Sequence, residues 1–526
     1  MEATRRPSRA RRAVLVVSAL VAAALALGAW AYSSPVGSSP DDDFHLASIW
    51  CAAGESDQCE AVARADERAV SMGLIGTPGC FAFNPEASGA CTLEWTQRGD
   101  LSVTDRGNFA GTYPPLFYAA MSVFAGEDIQ LSVIVMRLVS AGVFLALLAA
   151  AFALLPVRRR PMLLWGAAAT IVPLGMFVIP STNPSSWALA SAAVTWIALL
   201  GWFETRGRRR FGLGALAILA VLIGAGARAD AGLFAAIGVG VVVILKAERS
   251  RAFWRASLLP LAMIVIAGAF WFTSGQSEAA SGGLGSGDGL SLADSIVLAL
   301  SNTALVPGLW AGAIWGPLGW LDTAMPVAVV FLTVLVLGGL VFAGVAKRDL
   351  RKRLAVLLVV LALWFIPVYL LVRSEAYVGA QVQPRYILPL LMMLAALLLL
   401  DRDGHLAIGR LPLWVAAIAL SAANAVALHT NMRRYTTGTD GTSIDLGKDL
   451  EWWWQGMPGP MAIWAIGSLA FLVALALTTL PAIYRSSGAS STVLDTAEHD
   501  SSAETTSGSD VSTVTSPPQA SAASQT

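Results

Sequence analysis

Long apolar runs alternate with short polar breaks along almost the whole chain. The first run, Ala13–Ala31, follows an arginine-rich start (Arg5, Arg6, Arg9, Arg11, Arg12) and is long enough to span a bilayer at about 1.5 Å per residue. A polar stretch, 33–130, comes next. It ends in Gly111-Thr112-Tyr113-Pro114-Pro115-Leu116-Phe117-Tyr118, where Pro114 and Pro115 suit the start of a short interfacial or re-entrant helix. Further apolar runs follow at Leu131–Val157, Met162–Ile179, Ser185–Phe203, Phe211–Ala227, Ala231–Leu245, Ala256–Phe272, Pro326–Val345, Leu354–Val372, Tyr386–Leu400, Leu411–Leu428 and Met461–Tyr484. The pattern predicts an all-α polytopic membrane bundle of about twelve transmembrane helices with a long first outer loop. The domain plan is a basic N-terminus (1–12), a first transmembrane helix (13–32), an extracytoplasmic segment (33–130), a polytopic domain (131–484) and a tail (485–526). The tail is Ser/Thr-rich without apolar periodicity and reads as disordered. Leu290–Leu321 is moderately apolar and contains Pro307 and Pro317; it is expected to lie at the outer surface. Ser281–Gly289 reads as a flexible loop.

Charge sets the orientation. Arg158–Arg160, Arg206–Arg210, Lys246–Arg255, Lys347–Arg353 and Arg402–Arg410 fall in alternate loops. The positive-inside rule puts these loops and both termini in the cytoplasm, and 33–130 outside. Ala29-Trp30-Ala31 resembles a cleavage site, but the long apolar core favours an uncleaved signal anchor. The four cysteines, Cys51, Cys59, Cys80 and Cys91, all lie in 33–130. An even set in one outer loop reads as two disulfides with three possible pairings; a zinc site is the rival, but the short Cys-Cys spacing is missing. The placement agrees with the charge rule.

Only 13% of residues are charged and 56% are hydrophobic, against about 25% charge in soluble domains. Lipid is therefore the solvent for most of the chain. No basic face with interleaved aromatics is present, and nucleic acid is not an expected partner.

Ionisable groups within or beside apolar runs are functional candidates. Asp41-Asp42-Asp43, with His45, stands directly after the first run. Arg137 lies about two turns into the second run. Arg228 and Asp230 flank a tight outer turn, Glu375 lies in an outer loop, and Arg385-Tyr386 opens the tenth run. Arginines beside a carboxylate cluster in the outer leaflet suit an anionic lipid headgroup next to a catalytic base. The bland readings are interfacial snorkelling for Arg228 and Arg385, a solvated helix end for the aspartates and a surface histidine. Asp41-x-Asp43 matches the D-x-D pattern of nucleotide-sugar enzymes, but it lies outside and no βαβ pattern surrounds it. Asn183-Pro184 reads as a turn, and Trp452-Trp453-Trp454 as an interfacial belt or, less readily, a sugar platform.

Four of these marks occur in the order found in the domain-of-unknown-function family 2142 of bacterial membrane proteins, which the chain resembles over roughly 15–430. They are the acidic pair with His (Asp41, Asp42, His45), Pro114-Pro115-Leu116-Phe117-Tyr118, Arg137, and Pro384-Arg385-Tyr386 with Pro389. The chain departs at Asp43, where the family often has Pro, and at Pro384, where it usually has Gly. The architecture is similar to integral-membrane glycosyltransferases of the GT-C class. That resemblance implies a bacterial plasma-membrane enzyme moving a sugar from a polyprenyl-phosphate donor to a glycan or lipid-linked acceptor. Asp41 or Asp42 is then the base. His45, Tyr113, Pro114, Pro115, Arg137, Arg228, Asp230, Glu375, Arg385 and Tyr386 are the expected substrate contacts, and a divalent cation (Mg, Mn or Ca) is a candidate cofactor. The alternatives are a lipid or polysaccharide transporter and a non-catalytic envelope assembly protein.

Overall fold

The structure is a computed structural model describing residues 9–283, 289–315, 317–345, 349–401 and 408–484. The expected tail, 485–526, and the centre of the Gly/Ser-rich loop lie outside the described residues. The chain is mostly helical. Among the described residues, eleven helices are long and apolar enough to cross a membrane. Large side chains such as Phe272, Phe331, Phe342 and Phe365 stay exposed on them, as a lipid solvent permits.

The first helix, α1 (Arg9–Tyr32), leads through a tight polar turn into α2 (Asp42–Ala52). A three-stranded antiparallel sheet follows, with β1 (Cys59–Ala61), β2 (Arg68–Ser71) and β3 (Leu101–Thr104) in the order β1-β2-β3. The apolar pattern did not announce this sheet, because its strands are three or four residues long. Disulfides join Cys51 to Cys59 and Cys80 to Cys91, which selects one of the three pairings. α3 (Leu116–Met121) starts just after Pro115.

The bundle comprises α4 (Ile129–Leu154), α5 (Arg160–Ile171), α6 (Leu174–Val178), α7 (Ser185–Glu204), α8 (Gly207–Ala227), α9 (Ala229–Lys246), α10 (Leu258–Phe272), α11 (Leu292–Trp315), α12 (Val327–Val345), α13 (Leu350–Arg373), α14 (Pro384–Leu398), α15 (Arg410–Thr436) and α16 (Pro460–Thr479). The expected span 162–179 is interrupted. Pro173 has no N–H to donate and forces Val172 into an extended conformation, so α5 stops and α6 begins. The tenth span is a helix of only 15 residues, α14. Both α5 and α14 are almost wholly buried and lie against each other. A Cβ on Gly166 would sit 2.4 Å from the Ala396 Cβ, so this close backbone approach requires glycine.

One face of the bundle gathers the basic loops, as the charge alternation predicts. The Glu204 carboxylate receives Arg159 at 2.7 Å and Lys246 at 2.6 Å. Lys352 donates to the carbonyls of Leu398 and Leu400, and Arg159 to that of Asp401. The disulfide-bonded segment occupies the other face. Arg434, fully buried at the end of α15, donates there to the carbonyls of Phe81 and Ala87 and to the Asp322 carboxylate. The Trp452–Trp454 run is not a belt. Trp453 and Trp454 are buried, and Trp454 donates to the Tyr32 carbonyl at the exit of α1.

α11 is long enough to cross, yet both its ends belong to the disulfide-bonded face. Before it, the Gly289 and Leu290 amides donate to Glu375, just past α13. After it, Trp320 donates to the Gly37 carbonyl. Its flank is tied to α13 by Trp310 to the Leu363 carbonyl and Trp364 to the Thr303 carbonyl. α11 therefore packs its flank against the middle of α13 while both neighbouring segments are tied to that face. Cysteines introduced at Ser291 and Leu321 should both react with an impermeant maleimide from the side that labels a cysteine at Ser88, while Arg208→Cys is protected. Opposite accessibility of Ser291 and Leu321 would show that α11 crosses.

Candidate functional site

The acidic turn after α1 is built around Arg137. This residue of α4 is fully buried, and its guanidinium donates to the carbonyls of Ala31, Ser34 and Pro35 and to the Ser38 hydroxyl. These are groups that a helix end leaves without intrahelical partners. Each carbonyl stranded without Arg137 would cost on the order of 1–3 kcal/mol. The expected role of Arg137 as a substrate contact is thus corrected: its donors face the protein's own backbone.

The three aspartates then separate in environment. Asp41 adopts a left-handed conformation, φ 58° and ψ 27°, which Asp tolerates better than most residues. Its carbonyl accepts the first amides of α2, but its carboxylate caps nothing in that helix. Instead, it receives Arg385 at 2.6 Å, with Arg106 at 3.9 Å from its other oxygen, and remains 39% exposed. Burial alone would raise the Asp41 carboxyl; the guanidiniums of Arg385 and Arg106 outweigh it and hold the group below its ordinary value. Asp42 is fully buried. It accepts from the Ser39 amide at 3.0 Å and from the Thr182 hydroxyl at 2.6 Å. Burial pushes its carboxyl up to about 6, against the pull of Arg137, Thr182 and Ser39. Asp43 is paired with Arg106, whose Nη2 lies 2.8 Å from its carboxylate.

His45 sits behind the turn, buried, with Nδ1 at 2.9 Å from the Tyr118 hydroxyl and its ring stacked on Tyr118. Burial drives its imidazole down to about 3, so it is neutral at physiological pH. It packs beneath Asp41 and is not among the residues that line the cavity described below. Pro114 is buried and Pro115 is exposed at the start of α3; they set that helix and line no cavity. Glu375 holds the entry to α11, as described above, and is likewise no part of the site.

Tyr113, Arg228, Asp230, Arg385 and Tyr386 do converge. Arg228, between α8 and α9, is held by both Asp230 oxygens, at 3.0 and 2.7 Å, and by the Ser185 hydroxyl at 3.3 Å. Despite the cost of burial, Asp230 and Tyr113 raise its basicity. The Tyr386 ring lies under two guanidiniums, with Arg228 at 4.8 Å and Arg385 at 4.9 Å from its centroid. Arg228 also lies 5.6 Å from the Tyr113 ring. Tyr113, Arg228, Asp230 and Tyr386 line the polar end of a cavity of about 570 Å³, and Arg385 stands behind Tyr386. Its remaining walls are mostly apolar, with Phe234, Trp271, Phe365, Ile366 and Leu370, and Thr112, Gln276, Ser277 and Ser281 add further polar groups. Phe365 and Tyr369 are exposed on the outside of the bundle, so the cavity borders the lipid flank.

Over residues 24–394 the chain matches the model of DUF2142, a family described as predicted membrane proteins. The chain belongs to that family. No curated protein and no solved structure gives a match.

Three contributors to this DUF2142 site were not foreseen. Thr182 holds Asp42, Asn183 donates from Nδ2 to the Pro40 carbonyl at 2.9 Å, and Arg106 reaches Asp43 and Asp41. A signal existed for the first two: Ser181-Thr182-Asn183-Pro184-Ser185-Ser186 is more polar than a tight turn between apolar runs requires. Arg106 carried none, being one arginine in a polar segment. Among the described residues, no group of three or more His, Cys, Asp or Glu converges on a metal position. The aspartates of the turn face arginines and hydroxyls instead, a donor set that does not fit a divalent cation.

Asp42 gives a pH test. Its carboxyl titrates higher in the folded chain than in an unfolded one, so the stability linked to its neutral form is present below pH ~4 and lost as pH rises through about 6. Asp42→Asn removes that loss. The melting temperature of Asp42→Asn minus that of wild type should become more positive from pH 5 to pH 7; a difference independent of pH would show that Asp42 titrates normally.

Proposed function

We propose that the chain is a membrane glycosyltransferase that moves a sugar from a polyprenyl-phosphate donor to an acceptor hydroxyl on the outer side of a bacterial plasma membrane. The observation that carries this reading is the half-exposed, ionised Asp41, linked through Arg385 and Tyr386 to the polar end of a cavity with apolar walls. A polyprenyl phosphate has the matching polarity: an isoprenoid chain for the apolar walls and a phosphate for guanidiniums. The resemblance to GT-C enzymes read from the sequence motifs points the same way.

Asp41, rather than Asp42, acts as base. Asp42 has its oxygens engaged by Ser39 and Thr182 and no exposure, whereas Asp41 meets solvent. The acceptor oxygen attacks the anomeric carbon, its proton passes to the Asp41 carboxylate, and the bond from that carbon to the phosphate oxygen breaks with its electron pair on the phosphate. Arg385 and Arg228 stabilise the charge that accumulates there. Tyr113 and Tyr386 border the headgroup. Arg137 positions the turn that presents Asp41.

A carrier is the second reading, favoured by the interruption of a span at Pro173. However, the side chains around the break, Ile171, Val172 and Leu174, are apolar and buried, and the charged end of the cavity is built elsewhere, by Arg228 and Asp230.

Asp41→Asn should express and insert normally while losing roughly 10²–10⁴-fold in transfer from a polyprenyl-phosphate sugar. Arg385→Ala should weaken donor binding, and Arg385→Lys should restore it only in part, because Lys lacks the planar fork. Arg137→Lys should lower the folded yield with no selective effect on donor affinity. Wild-type transfer by Asp41→Asn would remove the base from this position.

A further inference from the structure

The arginines around the acidic turn all carry a carboxylate. Arg106 has Asp43, Arg228 has Asp230, Arg385 has Asp41, and Arg137 lies in the field of Asp42. The cluster is balanced as built, so an anion entering it must take a guanidinium from a carboxylate. The pairs are not equally strong. Asp230 holds Arg228 with both oxygens from two residues away in the chain. Asp43 likewise meets Arg106 through both oxygens.

Arg385 and Asp41 share one contact, at 2.6 Å, between side chains 344 residues apart in sequence. The other Asp41 oxygen has only Arg106, at 3.9 Å, beyond hydrogen-bond range. Arg385 Nε is buried and has no hydrogen-bond partner. The two partners also differ in freedom. The Arg385 side chain is 3% exposed and cannot reach water, whereas Asp41 is 39% exposed and can turn outward. A buried guanidinium needs a counter-ion at all times; a half-exposed carboxylate does not.

We propose that the site loads its anionic substrate by counter-ion exchange: a phosphate replaces Asp41 on Arg385, and the carboxylate so released is the one that serves as base. The inference rests on the reading of Asp41 and Arg385 given above. A phosphate supplies the planar fork with two oxygens where Asp41 supplies one, and it can engage the idle Nε. Until the donor is seated, Arg385 keeps Asp41 a weak base. Once it is seated, Asp41 loses its nearest cation and gains basicity when an acceptor proton is to be taken. The site thus couples donor occupancy to activation of the base, with no movement beyond one side chain.

The test is affinity without turnover. Binding of a short-chain polyprenyl monophosphate is measured on the full chain in phosphatidylcholine nanodiscs, for wild type, Asp41→Asn, Asp41→Gly and Asp230→Asn. Glycine adopts the left-handed backbone of position 41 freely, and so guards against a folding defect in the first variant. Both Asp41 variants should bind about tenfold tighter than wild type, or more, because the competing carboxylate is gone. Asp230→Asn, which frees Arg228 and leaves the Asp41–Arg385 pair intact, should tighten binding less than either Asp41 variant. The same gain for inorganic phosphate supports exchange read through the headgroup alone; a gain confined to the lipid supports exchange assisted by the apolar walls. Unchanged or weaker binding by the Asp41 variants overturns exchange, and if they also lack transfer, the catalytic reading stands without it. A gain for the uncharged polyprenol, or for Asp230→Asn alone, also overturns it.

Discussion

A guanidinium placed inside a lipid-solvated bundle has to find oxygen, and Arg137 finds it in the backbone that leaves α1. That requirement shapes what surrounds it. The carbonyls of Ala31, Ser34 and Pro35 must turn inward, which bends the chain sharply at the helix exit and directs the next residues across the mouth of the bundle. Asp42 then falls into the interior beside Thr182, and Asp41 is left at the edge in a left-handed conformation. Burying Arg137 without these partners would be costly, and burying Asp42 without a nearby cation would be too. The two residues justify each other, and the exposed carboxylate is a by-product of their packing that a reaction can use.

Hydrophobic periodicity, charge alternation and the cysteine cluster made the architecture legible, because each reports a large and repeated free-energy difference: lipid against water, or inside against outside. The acidic turn, Arg228 with Asp230, and Arg385 with Tyr386 were legible for a related reason, since charge beside an apolar run is rare. The direction in which a side chain points was not. Arg137, Asp41 and Arg385 are equally conspicuous in the sequence, but one is consumed by backbone carbonyls while the other two meet each other. That distinction depends on sub-ångström placement of a turn. The small sheet stayed hidden because four-residue strands have too little alternation to register. The interruption at Pro173 went unread because a proline inside an apolar run is compatible with either a kink or a break.

The distribution of polarity in the cavity is what favours the proposed enzyme over a carrier or an anchor. Its charged groups collect at one end, next to the disulfide-bonded face, and its apolar walls run toward the lipid flank. A carrier asks for ligand groups near the middle of the bilayer; an anchor asks for no paired charges inside the bundle. An enzyme acting on a lipid-borne headgroup asks for this asymmetric arrangement, with one surface for a hydrocarbon chain and one for chemistry.

The sequence distances within the site set an order of assembly. The disulfides close loops of 8 and 11 residues, so they can form while the rest of the chain is still being made. Arg385 is synthesised 344 residues after Asp41. At roughly 5–20 residues per second, Asp41 waits on the order of tens of seconds for Arg385, although Arg106 and Arg137 are made much sooner. During that interval Arg106, 3.9 Å from Asp41 in the folded chain, is the guanidinium within its reach. The exit of α1 is closed later still, when Asn424, Asn431 and Trp454 reach Trp30, Ser33 and Tyr32.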